Sequence, residues 1–150
     1  MEEPLRFKSR RDYEELQLFL DAWNGENGTI KCIFLQFQSI LAELPGVVFD
    51  FVSRPGVSIS LRAERVFQGN TALFALVDVV DDDPESRWLS VCFPSVVVSD
   101  PQGLGNLIPE GISGRDGYCF DVFEEDASFL KYLEERIREA FERSKGLSLR

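Results

Sequence analysis

The residues best suited to chemistry in this chain are carboxylates, and they fall into two clusters. The denser is Asp81-Asp82-Asp83-Pro84-Glu85. Hard cations prefer oxygen ligands, so Asp81, Asp82, Asp83 and Glu85 form a candidate set for weak Ca²⁺, Mg²⁺ or Fe²⁺ binding. The run lacks the glycine and the distal Glu of an EF-hand loop. Between two strand-like segments it reads first as a solvated hairpin tip, which also guards against edge pairing. The second cluster, Glu124-Glu125-Asp126, precedes a helical pattern, where a helix N-terminus attracts negative charge without any ligand.

No histidine occurs among the 150 residues. That removes the commonest general base and transition-metal ligand, and excludes Ser–His and Cys–His nucleophile pairs within the chain. Cys32, Cys92 and Cys119 form no CxxC pair. Each lies among apolar neighbours, which predicts small buried thiols in a reducing compartment. The segment Gly103-Leu104-Gly105-Asn106 has the glycines of a phosphate loop but not the Lys and Ser/Thr that complete one. An enzyme would have to work with Asp, Glu, Arg or Cys alone, so the expectation is a non-enzymatic protein.

The remaining candidates share a strand face. Val57, Ile59, Leu61 and Ala63 alternate with Ser58, Ser60, Arg62 and Glu64, as a half-buried sheet requires. If neighbouring strands keep register, Ser60 and Arg62 share a polar face with Asp78 or its neighbours, with Trp88 and Ser90, and with Asp121. An Arg beside a Trp and carboxylates on an open sheet can anchor an anionic or planar ligand. Ser60, Arg62, Trp88 and Asp121 are therefore the candidate ligand-binding residues. The competing structural reading pairs Arg62 with Asp121 or Glu64.

These residues must be positioned by an α+β domain. Ser9 precedes a helical stripe of Tyr13, Leu16, Phe19, Leu20 and Trp23, closed by Asn24-Gly25. Thr29 is read as the N-cap of a second helix, with Ile30, Ile33, Phe34, Phe37, Ile40, Leu41 and Leu44 as its apolar face and Pro45-Gly46 as its stop. From Val47 the period becomes that of strands: Val48–Ser53, Val57–Glu64, Ala72–Val80 and Arg87–Phe93, with Val96–Val98 as a brief edge strand. Asp100 to Gly117 reads as a long Gly-rich loop in which Leu104, Leu107, Ile108 and Ile112 tuck against the domain edge. Tyr118–Phe123 is the last strand. Asp126 caps a helix buried through Phe129, Leu130, Leu133, Ile137, Ala140 and Phe141. Strands in the middle and helices at the ends predict an antiparallel sheet of five to six strands, with the N-terminal helices and a C-terminal helix packed on one face. Residues 1–150 form one domain, with 145–150 as a frayed tail.

Charge narrows the partners. Sixteen basic against 26 acidic residues give a formal net charge of −10, which repels nucleic acid and anionic lipid. The start Met-Glu-Glu-Pro has no signal-peptide pattern, and no run approaches the length of a membrane span, so a cytoplasmic location is expected.

The break Leu44-Pro45-Gly46, the strand Val57-Ser58-Ile59-Ser60-Leu61-Arg62, the two central strands, Asp100-Pro101 with its Gly-rich loop, and the end Glu134-Glu135-Arg136-Ile137-Arg138-Glu139-Ala140-Phe141-Glu142-Arg143-Ser144 together resemble the YdhG-like bacterial domains of unknown function. The resemblance spans roughly residues 30–144 and implies a frataxin-like α+β arrangement. It also implies an alternative role in iron handling through acidic residues. Relatives often carry Lys-rich or His-containing strands where this chain has Phe74, Asp78 and Trp88. The leading expectation is a module that binds a protein partner or a small molecule over its open sheet face, with no cofactor.

Overall fold

The computed structural model describes residues 6–23 and 28–149. Helix α1 spans Arg10–Ala22 and α2 spans Gly28–Glu43. Strands β1 (Val47–Arg54), β2 (Ser58–Phe67), β3 (Asn70–Val80) and β4 (Trp88–Pro94) follow. After a short 3₁₀ turn at Ser95–Val97 come β5 (Asn106–Ile112), β6 (Arg115–Val122) and helix α3 (Ala127–Arg143). The strands form one antiparallel sheet in the order β1-β2-β3-β4-β6-β5.

Local chemistry sets the element ends. The Ser9 hydroxyl accepts from the Asp12 amide at 3.1 Å, and Asp126 accepts from the Phe129 amide at 3.3 Å, each satisfying an orphan donor of a first turn. Gly46 has φ +76°, and a Cβ there would stand 2.8 Å from the Val66 carbonyl oxygen, so only glycine fits the turn from α2 into β1. Thr29 lies inside α2 rather than capping it, and the expected stop at Asn24-Gly25 lies outside the described residues.

One face of the sheet carries the core. Phe49, Leu61, Val77, Val91 and Phe120 are buried together with Leu16 and Leu20 of α1, Ile33, Phe34 and Phe37 of α2, and Leu133, Ile137 and Phe141 of α3. A bulge refines this division. Ala63 pairs with Ala75 and Glu64 with Leu73, which leaves Phe74 as the extra residue. Phe74 turns to the helices and meets Phe141 edge-on at 5.7 Å. Leu73 joins Leu76, Cys92 and Ile112 in a smaller cluster separate from the main core. A bulge reverses the side-chain alternation in this way, and coverage on both sides explains why Ala72–Val80 reads as an almost continuous apolar run.

Four expectations are corrected. Val96–Val98 is not an edge strand: Ser95–Val97 is a 3₁₀ turn that buries Val97. The expected long loop contains β5, paired with β6, because Asp100 organises its first half. The Asp100 carboxylate accepts from the Leu104 and Gly105 amides at 3.0 and 2.8 Å and from the Tyr132 hydroxyl. Of the apolar residues expected to tuck in, Ile112 is buried, while Leu104, Leu107 and Ile108 are exposed. The tail is tied down, not frayed: the Leu73 amide donates to the Leu149 carbonyl at 3.1 Å, and the Leu149 amide to the Thr71 carbonyl at 3.2 Å. That edge of β3 is open because β4 pairs only with Leu76–Val80.

The cysteine expectation also fails. Cys92 and Cys119 sit directly opposite each other on β4 and β6 and form a disulfide, and Cys32 is exposed on α2. Disulfides are rare in a reducing cytosol, so the cysteines no longer argue for such a compartment. The bond closes a sequence separation of 27 residues, for which loop-closure entropy gives about 3–4 kcal/mol of stabilisation. Reduction, or the Cys92→Ser/Cys119→Ser pair, should lower the unfolding free energy by about that amount in denaturant titrations. Alkylation of the unreduced, unfolded chain should label Cys32 alone, as read by peptide mass.

Candidate functional site

The sheet face opposite the helices presents side chains in rows. One runs through Val52, Ser60, Asp78, Ser90 and Asp121 across β1, β2, β3, β4 and β6. On one side of it lies the row Asp50, Arg62, Leu76, Cys92 and Cys119, and on the other Arg54, Ser58, Val80 and Trp88. Beyond Trp88 stands Phe123, with ring centroids 4.8 Å apart. The face thus grades from an apolar corner at the disulfide, through a polar line, to an aromatic pair.

All four sequence-predicted residues lie on this face, in two separate groups. Ser60 and Arg62 belong together: Arg62 Nε donates to Ser60 Oγ at 3.2 Å. Trp88 and Asp121 stand on the adjacent strands β4 and β6. Ser60 and Asp121 are three strand spacings apart, about 14 Å, too far for both to grip one small planar group. The competing ion pairs do not form as expected. Glu64 is taken by Lys8 at 2.8 Å, and Arg62 is separated from Asp121 by two intervening strands.

Asp78 lies at the centre of the polar row. Its Oδ1 is sealed from solvent and has no hydrogen-bond partner. Burial holds the carboxyl above its ordinary range, against the lowering influence of the Ser60 hydroxyl and of the Arg62 and Arg54 charges. Asp121 is raised by burial as well. The acids that dock the loop onto α3 behave oppositely. Burial opposes ionisation of Asp100, but the Tyr132 hydroxyl, the Gly105 and Leu104 amides and Arg136 together hold it low. Glu139 is held low against burial by the Ser99 hydroxyl and amide and by Arg136 and Arg143.

The alternative metal residues part company. Asp81 is buried and pairs with Arg87 at 2.6 Å, and the guanidinium lies over the Phe19 and Trp23 rings of the α1 region. Asp82, Asp83 and Glu85 stay exposed on the hairpin. Among the described residues no group of three or more His, Cys, Asp or Glu is placed to hold a metal ion. The amides at Leu104 and Gly105, which a phosphate loop would offer to a ligand, are occupied by Asp100. On the helical side, a cleft of about 490 Å³ is lined by Arg6, Gln17, Leu20, Gln38 and Phe49 among others.

Strand parity from Trp88 and Asp121 also places Ser90, Cys92, Cys119 and Phe123 on this face. The disulfide was therefore accessible to the same reasoning, had β4 been paired with β6. The long segment between those strands hid that pairing. No helix among the described residues is long and apolar enough to cross a membrane. Comparison with protein-family models, with curated proteins and with solved structures finds no match.

The pH sign for Asp78 follows from its raised carboxyl. A raised acid favours folding while protonated, and this contribution is lost as pH rises through its folded-state value. Asp78→Asn, which removes the ionisation, should raise Tm at neutral pH by about 2–4 °C. That gain should disappear below the ordinary value of 3.8. Thermal melts of both proteins across pH would show it.

Proposed function

We propose that this chain is a non-enzymatic binding module that receives a protein partner on the open face of its sheet. The observation carrying this reading is the sheet face that no helix covers: half-buried Arg62, Ser90 and Asp121 around a sealed Ser60, spread over about 14 Å and ending at an aromatic pair. Its recognition groups are dispersed, and dispersed groups suit an extended protein surface better than a compact small molecule, whose sites gather convergent polar groups in a concavity. Asp78 fits the same reading, because a buried carboxyl without a full set of partners weakens the fold where it sits, and such departures concentrate at functional surfaces.

A displayed random-peptide library panned on the disulfide-bonded chain tests the proposal. Binders should lose affinity for Arg62→Glu and Asp121→Lys variants, and keep it for Gln17→Ala and Gln38→Ala on the helical side. Binders with the reverse sensitivity, or the recovery of none, would overturn the open-face reading.

A further inference from the structure

The geometry points to the Trp88–Phe123 end of this face as the docking point for a lysine- or arginine-rich segment of a protein partner. The inference rests on the open-face reading and supplies the chemistry of its occupant. Phe123 is 64% exposed, a large apolar side chain left in water directly beside a half-buried Trp88. A contiguous exposed apolar patch rimmed by polar residues marks an interaction site, and the rim here is acidic. The β3–β4 hairpin carries Asp82, Asp83 and Glu85, and the segment after Phe123 carries Glu124, Glu125 and Asp126, all exposed.

Aromatic faces attract ammonium and guanidinium groups, and a rim of one sign steers the opposite sign onto the patch. The fold already uses this pairing internally, with Arg87 lying 4.9 Å from the Phe19 ring centroid while bound to Asp81. Glu125 turns toward a helical-side cleft that it shares with Lys131, but among the described residues Asp82, Asp83, Glu85 and Glu124 form no ion pair. Arg87 is committed to Asp81 and the α1 rings, and Arg54 lies three strands away along the Trp88 row, about 14 Å. An acidic or neutral partner would meet repulsion or no steering at this end, whereas a basic segment meets complementary charge and two rings.

Titration of the disulfide-bonded chain with an oligolysine peptide, followed by backbone-amide and indole shifts, provides the test, with an oligoglutamate peptide alongside. Oligolysine should move the Trp88 indole and the Phe123 amide first, and added salt should weaken the effect. Trp88→Ala should weaken binding about tenfold. Phe123→Ser, at a largely exposed site, should weaken it similarly while lowering Tm by no more than about 2–4 °C. Shifts spread evenly over the acidic surface, binding indifferent to both variants, or equal binding of oligoglutamate would overturn the inference. If library-selected peptides still map to Arg62 and Asp121 in that case, only the basic-segment assignment falls. If they map to the helical side, the open-face reading falls as well.

Discussion

Burial of one side of the antiparallel sheet is the constraint to which the rest of this structure answers. Each fully buried Leu or Phe contributes roughly 1.5–3 kcal/mol relative to exposure, and Leu61, Phe74, Val77, Val91, Phe93 and Phe120 all reach that state against three helices. The surface ion pairs along α3, such as Arg138–Glu134 and Arg143–Glu139, contribute about 0–1 kcal/mol each. Packing therefore decides which face the helices cover, and outside the β2–β3 bulge residues at alternate positions are sent to the other side.

That opposite side is not uniform. Toward β5 it closes on itself, as Ile112 folds over Leu73, Leu76 and the disulfide. This closure depends on Gly117, because a side chain there would run into Ile112. Toward the β3–β4 hairpin it stays open and carries Trp88, Phe123 and the acids. Polar groups between these ends are held at a local cost, with Asp78 raised by burial and one of its oxygens unpartnered.

The loop after β4 shows how a few polar contacts can organise a segment that lacks its own core. Asp100 gathers the Leu104 and Gly105 amides and the Tyr132 hydroxyl, and Ser99 holds Glu139 through its amide and hydroxyl at 3.1 and 2.7 Å. Together they dock the chain onto α3 before it turns into β5. Because both acids are held low, this anchoring is present above the ordinary carboxyl range and is lost as pH falls through their folded-state values. The acids of the open face carry the opposite sign.

Period and punctuation alone determined the helices, the four strands from β1 to β4, the antiparallel sense and the membership of the polar face. Ser58, Ser60, Arg62 and Glu64 can only share a side when Ile59, Leu61 and Ala63 are buried, because side chains alternate along a strand. Tertiary structure decided what depends on contacts distant in sequence. The placement of β5 outside β6, the Cys92–Cys119 bond, the seating of Arg87 over the Phe19 and Trp23 rings and the anchoring of Leu149 to β3 each join residues that no local pattern links. Two strands separated by a long segment can pair in several ways, and only the packing of the whole sheet selects among them.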